Sequence, residues 1–364
     1  MKLHLYFARR FLMLLAGVLV AFGLMILLID LVEQIRRFGD EGVGFTQILA
    51  LTALSVPAAL YQILPLIVIL ATLSLFLGLA RSSELVVTRA AGRSALRAVT
   101  APALVAFLFG VLSVAALNPI VTATNTRYEV LSDRYQGRVA SVLSISDEGL
   151  WLREGNEAGQ TVISAAASNP DGTVLSDVSF LGFDLDGTPA WRIEAARAEL
   201  GAGRWDLADG KRWQFDGTNP EMVAERFEAV SLASSLTQEQ IRTSFGTAST
   251  IPVWALPAYI ERLERAGFTA RSHRVWLHME LANPFFFAAM VLVAAAFTLR
   301  HVRFGRHGLM ILAALLSSFS LYFVRNFAQI LGENGQIPVL LAAWAPPIAT
   351  LLLPAGLLLH LEDG

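Results

Sequence analysis

Six strongly apolar stretches of this chain run for 17 to 39 residues without a single Asp, Glu, Lys or Arg. A helix needs about 20 apolar residues to cross a hydrocarbon core about 30 Å thick, because each residue rises about 1.5 Å. The stretches are Phe11–Ile29, Gly42–Ala80, Ala98–Thr126, Leu281–Leu299, Gly308–Val324 and Asn334–Leu359. Gly42–Ala80 is too long for one crossing. Its most apolar part, Leu54 to Leu79, reads as one helix entered through an interfacial approach segment. Ala98–Thr126 runs into Asn118-Pro119, which reads as a helix end. Gly308–Val324 is short, but Phe304 and Phe327 extend it. The pattern predicts an integral membrane α-helical bundle of six transmembrane helices, three on each side of a polar insert. The first run exceeds a typical signal-peptide core, and no small-x-small site follows before Asp30, so it reads as a retained span.

Charge is divided unevenly. Positions 127–280 hold 15 basic and 22 acidic residues, and the other 210 positions hold 13 and 8. Only 16% of the chain is charged, against about 25% in soluble domains. The net charge of −2 argues against a nucleic-acid partner, which calls for a concentrated basic patch. Orientation follows from the short loops. Lys2, Arg9, Arg10, Arg81, Arg89, Arg93, Arg97, Arg300, Arg303 and Arg306 fall on one side, and only Arg36, Arg37 and Arg325 on the other. Both termini are therefore expected in the cytoplasm, and the insert in the periplasm of a bacterial inner membrane. Pro57, Pro65, Pro338, Pro346, Pro347 and Pro354 lie in spans two and six. They read as kinks held within a bundle or, alternatively, as a gating hinge.

Between about 126 and 250 the pattern shortens. Asp147-Glu-Gly149, Asn169-Pro-Asp-Gly172, Asp186-Gly187, Asp209-Gly210 and Asp216-Gly217 read as turns separating short alternating runs. Such spacing predicts an antiparallel sandwich or jellyroll of eight to ten strands. Helical periodicity returns at Pro257–Ala266. The expected division is 1–125 for spans one to three, 126–275 for the β domain and a linker helix, and 276–364 for spans four to six.

Enzyme chemistry finds little footing. Phe183-Asp-Leu-Asp-Gly-Thr188 matches the nucleophile loop of aspartate-based phosphatases, but that chemistry also needs a parallel sheet and a suitably placed lysine. Lys2 and Lys211 are the only lysines, and neither sits in a phosphate-binding loop. With no cysteine, disulfides and thiolate metal sites are excluded. No catalytic residue, metal site or cofactor is expected.

Two charged segments flank the spans. In Asp30-Leu-Val-Glu-Gln-Ile-Arg-Arg37, helical spacing puts Glu33 near Arg36 and Arg37. The segment reads as an interfacial anchor with snorkelling arginines or as a basic entrance for an anionic amphiphile, since the arginine fork matches phosphate. The loop from Arg81 to Ser94 is compatible with an amphipathic helix over about 82–94, with Ser82 or Ser83 capping it and Glu84 near its start. It reads as a tether along the membrane or as a segment that fits a groove on a cytoplasmic partner.

Asp30-Leu-Val-Glu-Gln-Ile-Arg-Arg37, Gln62-Ile-Leu-Pro65, Arg81-Ser-Ser-Glu-Leu-Val-Val-Thr-Arg-Ala-Ala-Gly92 and Asn118-Pro119 together resemble the LptF/LptG permease family of the lipopolysaccharide export ABC transporter. The ending, Leu341-Ala-Ala-Trp-Ala-Pro346 followed by Leu359-His-Leu-Glu-Asp-Gly364, looks most like the G subunit. The resemblance implies a six-helix permease with a periplasmic β-jellyroll. Its implied partners are a homologous F-type subunit, a dimer of cytoplasmic ATPase subunits and a single-span periplasmic jellyroll protein. It further implies that Glu84, Leu85, Arg89, Ala91 and Gly92 belong to an ATPase-coupling helix. Gln34, Arg36 and Arg37 would then look onto the lipid cavity, with Val178 and Phe180 facing the acyl chains inside the β domain. A non-transporting transducer, moving a periplasmic partner by ATPase strokes, is the alternative. Asp184→Asn should leave complementation of growth unchanged; loss of growth would restore the phosphatase reading.

Overall fold

The computed structural model describes residues 2–39, 42–82, 84, 95–136, 144–146, 149–156, 159–169, 172–184, 186–215, 219–237, 241, 248–298 and 307–363. The chain divides into two compact units. One comprises Met1–Tyr135, Pro252–Trp254 and Arg274–Gly364; the other comprises Gln136–Ile251 and Ala255–His273.

The first unit is helical: α1 (Lys2–Phe38), α2 (Phe45–Gln62), α3 (Leu64–Arg81), α4 (Ala95–Leu112) and α5 (Asn118–Tyr135) precede the β unit. Three more helices follow it: α7 (Arg271–Thr298, within this unit from Arg274), α8 (His307–Glu333) and α9 (Val339–Asp363). Among the described residues seven helical stretches have the length and composition to cross a membrane, where six were expected. The difference lies in the run 42–80. Instead of one helix from Leu54 to Leu79, the chain breaks at Ile63 (φ −97°, ψ 6°) between α2 and α3. Pro65 explains the break: it has no N–H to donate back to the Tyr61 carbonyl, and it sits in the first turn of the new helix, where none is needed.

Asn118-Pro119 is likewise not an end. A π-helical turn, Ser113–Leu117, joins α4 to α5, and the helical path runs on to Tyr135. The Asn118 N–H reaches back to the Ser113 carbonyl. Pro119 has no N–H for the Ala115 carbonyl four residues earlier, and the Trp254 indole N–H donates to that oxygen instead, at 3.1 Å. The Val253 N–H donates to Asn118 Oδ1 at 2.9 Å. The missing helix bond is thereby replaced.

The helical core is built mainly by α3 and α7. Ile67, Val68, Leu75 and Phe76 meet Phe286, Met290, Val291 and Ala294, with Phe7, Phe11 and Leu15 of α1 completing the cluster. At one close crossing Gly110 of α4 faces Pro284 of α7. A Cβ at Gly110 would lie 2.5 Å from the Pro284 Cα. Aromatic pairs flank the crossing, with Phe107 edge-on to Phe285 at 5.2 Å and Phe109 stacked on Phe287 at 6.0 Å.

The second unit holds a seven-stranded antiparallel sheet whose strands pair in chain order. They are β1 (Ser144–Ser146), β2 (Gly149–Asn156), β3 (Gly159–Ser168), β4 (Val174–Phe183), β5 (Pro189–Gly201), β6 (Arg204–Gln214) and β7 (Glu225–Ala233). Among the described residues this is a meander of seven strands, not the expected eight to ten with jellyroll crossovers. The match to the phosphatase loop is a turn between β4 and β5. Gly187 (φ +77°) donates to the Asp184 carbonyl, and the Asp184 N–H donates to Thr188. A short helix, α6 (Leu256–Arg265), buries Leu256, Ile260 and Leu263.

Asp209-Gly210 is not a turn. It lies inside β6, with Asp209 at φ +51°, and Asp177 of β4 takes φ +49°. Ladder pairing lapses at one common level, through Ala166, Asp177, Ala196, Asp209 and Glu228, and resumes in the same register beyond it. At that level the buried face changes parity. Leu175 gives way to Val178 and Phe180 in β4, and Ala198 to Ala195 and Ile193 in β5. The sheet is creased along one line. Asp147-Glu-Gly149 and Asp216-Gly217 extend outside the described residues.

Gly110→Ala should destabilise the helical unit by about 1–3 kcal/mol through overpacking. Gly17→Ala, where a Cβ meets nothing within 4 Å, should be neutral or slightly stabilising. Thermal denaturation in detergent checks both.

Candidate functional site

The far end of α1 separates the three residues expected to act together. Gln34 is buried, its side-chain amide donating to the Tyr128 hydroxyl of α5 at 3.0 Å and to Asp30 at 3.4 Å. Asp30 also accepts a hydrogen bond from Ser55 of α2. Gln34 thus joins α1 to α5. Arg37 is exposed, with its guanidinium 3.4 Å from the Tyr128 hydroxyl and 5.4 Å from the Phe38 ring centroid. Phe38 itself is buried with Ile48 and Leu51. The Arg36 side chain is 77% exposed and grips Glu33 through two hydrogen bonds of 2.6 and 3.1 Å. The two arginines form an open basic surface above a buried polar anchor, and Glu33 offsets part of its charge.

Val178 and Phe180 lie on the inner face of the β sheet and are almost fully buried. The Phe180 ring sits edge-on to Trp205 at 6.0 Å, and the Trp205 indole N–H has no hydrogen-bond partner. At these two positions the interior is filled by side chains. On the opposite face an open groove of about 970 Å³ is lined by Asp177, Glu194, Asp209, Lys211, Trp213 and Arg226, among others. Lys211 is engaged by Glu221, which also accepts from the Trp213 indole at 2.9 Å. The Lys211 ammonium, then the Trp213 N–H, hold the Glu221 carboxyl below its ordinary range.

At the other end of α1, Arg10 donates to Glu84 at 2.9 Å and to the Tyr6 hydroxyl at 2.7 Å. The Ser82 hydroxyl donates to the same Glu84 oxygen at 2.7 Å. The Ser82 hydrogen bond has the largest effect and, with the Arg10 contacts, lowers the Glu84 carboxyl below its usual value against the opposing effect of burial. Glu84 is therefore tied to the first helix. Leu85, Arg89, Ala91 and Gly92 lie outside the described residues.

A further polar cluster was not anticipated from the sequence. Glu280 and Asn283 of α7 are buried, the Tyr61 hydroxyl of α2 donates to Glu280, and Arg325 of α8 donates to Asn283. In the sequence Glu280 and Arg325 each stand at the edge of an uncharged run and pass for interfacial residues. The available signal was helical continuity: α7 begins at Arg271, which carries Glu280 more than two turns into the helix. Among the described residues no group of three or more His, Cys, Asp or Glu is placed to hold a metal ion.

A family profile described as "Lipopolysaccharide export system permease LptF/LptG" matches residues 5–360. The chain is 23% identical over 350 residues to the "Lipopolysaccharide export system permease protein LptG" of Haemophilus influenzae, covering 92% of each sequence. It is 24% identical over 342 residues to the protein of the same name from Escherichia coli K12, covering 90% of this chain and 88% of that one.

A carboxyl whose folded pKa is depressed contributes stability above that pKa and loses it as pH falls through it. The Ser82–Glu84–Arg10 link should accordingly be intact at neutral pH and part only on acidification below the ordinary glutamate range. Carboxyl NMR of the assembled protein with labelled glutamate checks this, and a Glu84 that titrates at or above its ordinary value would contradict the geometry.

Proposed function

The chain belongs to the LptF/LptG permease family, and on that footing we propose that it is the membrane subunit through which an ABC transporter lifts lipopolysaccharide out of the bacterial inner membrane. In this reading it acts as a permease rather than an enzyme. It pairs with a homologous F-type subunit, receives its stroke from a dimer of cytoplasmic ATPases near Glu84, and passes lipid to a single-span periplasmic jellyroll partner. Counting α2 and α3, which follow one another along α1 with Ser55 at Asp30, Leu60 at Gly23 and Gly78 at Arg10, as one broken crossing, the basic loops support cytoplasmic termini and a periplasmic β unit.

The observation that carries this reading, beside the family match, is the bareness of two helices. On α1, Val20, Leu24, Leu28 and Val32 stand uncovered at i, i+4 spacing. On α8, Leu312, Leu316, Phe319, Phe323 and Phe327 stand uncovered at mixed i, i+3 and i, i+4 spacing. Two such faces opposed across a dimer would wall an apolar cavity, with Arg36 and Arg37 at its outer rim to attract a phosphorylated headgroup. Extraction needs such walls. At about 0.8 kcal/mol per CH₂, several acyl chains bared to water would cost tens of kcal/mol, so shielding has to be continuous and the remaining work has to come from ATP.

One observation favours the transducer reading: the sheet interior is filled at Phe180 and Trp205, where a lipid conduit would need to open. Photoreactive residues at positions 178 and 180, together with one in α1, decide between the two. Labelled lipopolysaccharide should crosslink at all three in the intact complex. Reversing charge at Arg36 and Arg37 together should reduce the α1 crosslink. Full α1 crosslinking after reversal would leave the arginines as anchors, and no lipid at 178 or 180 would favour the transducer.

A further inference from the structure

Arg325 Nη2 donates to Asn283 Oδ1 at 2.7 Å, Asn283 Nδ2 donates to Glu280 Oε2 at 3.2 Å, and the Tyr61 hydroxyl donates to the same carboxylate oxygen. The Arg325 guanidinium also lies over the Phe286 ring, 5.1 Å from its centroid. The cation and the carboxylate are joined through one amide, which accepts from the first and donates to the second. Three helices distant in sequence, α2, α7 and α8, thus meet in one hydrogen-bonded chain.

Ionisable groups buried among membrane helices are costly and are kept where they do something packing cannot. Apolar packing around α8 is thin. Beside the cluster, a cavity of about 100 Å³ separates α8 from the α2–α3 break, between Ile63, Pro65 and Leu66 on one side and Phe319 and Tyr322 on the other. Apolar side chains slide past one another with little change in energy, whereas a polar pair has one register. Fixing register is the best-attested use of a buried polar pair.

We propose that Tyr61, Glu280, Asn283 and Arg325 form a clasp that holds α8 in one register against α7 and the α2–α3 break. If α8 walls the lipid cavity, the clasp sets that wall; this second clause rests on the function proposed above. These are positioning residues, acting through helix placement and not by touching lipid.

The chain has no cysteine, so spin labels attach only where introduced. Labels at Leu281→Cys and Leu316→Cys, both exposed positions, report the spacing of α7 and α8 in the purified complex by double electron–electron resonance. The parent should give one narrow distance distribution. Asn283→Leu, which leaves both charges in place but unjoined, should broaden it. E280Q/R325Q should do the same without stranding a charge, so the test survives if the single neutral variants fail to fold. Arg325→Lys retains a donor for Asn283 and should keep the narrow distribution, where Arg325→Met should not. Lipid crosslinked to α1 per ATP hydrolysed should fall by roughly fivefold or more in the broadened variants.

Unchanged distributions in Asn283→Leu and Arg325→Met overturn the clasp. Broadening with undiminished lipid delivery overturns the cavity clause alone. A parent complex that takes up no lipid refutes the function proposed above, and the distance measurements still judge the clasp.

Discussion

Within a bilayer no water is present to complete a hydrogen bond, so every interruption of a helix must bring its own partner. The helical unit meets that demand atom by atom. Where Pro119 withholds an N–H, the Trp254 indole serves the Ala115 carbonyl. Where α2 stops at Gln62, the Ile63 N–H turns back to Leu60 and a proline opens the next helix. Where a carboxylate lies inside the bundle, a tyrosine and an asparagine donate to it. Irregular backbone and buried charge share one constraint, and the places that satisfy it are where α2, α7 and α8 are fixed to one another and the start of α5 is fixed to Val253 and Trp254.

The same constraint separates what the sequence discloses from what it conceals. Charge-free runs report the scarcity of water around a segment, so the helical bundle and its inserted β domain are legible in composition alone. A run does not report where its helix breaks. Leu54 to Leu79 reads as unbroken because Ile63 is as apolar as its neighbours, and Asn118-Pro119 reads as an end because the indole that rescues it lies more than 130 residues away. Asp209-Gly210 has turn chemistry, yet in β6 the left-handed aspartate creases a strand instead of ending it. Glu280 and Arg325 mislead for a related reason. At the edge of a run a charge looks interfacial until the helix register is known.

The candidate site was legible as an inventory of residues and not as a geometry. Arg36 and Arg37 are exposed as a basic entrance would require, but Gln34, two residues before Arg36, points the other way and secures α1 to Tyr128. Glu84 is less independent than an isolated coupling residue: its carboxylate is held by Arg10, on the helix whose other end bears the two arginines. A single helix of 37 residues spans about 55 Å, so a displacement at one end reaches the other without passing through a loop.

The crease through Ala166, Asp177, Ala196 and Asp209 bears on how the β unit assembles. In an ordinary ladder, a slip of one residue turns all side chains over, and only burial opposes it. Here a slipped strand would also bring its own bend opposite a straight stretch of its neighbour. The bends therefore act as notch and key between successive strands: each hairpin that forms displays the alignment mark by which the next strand is accepted.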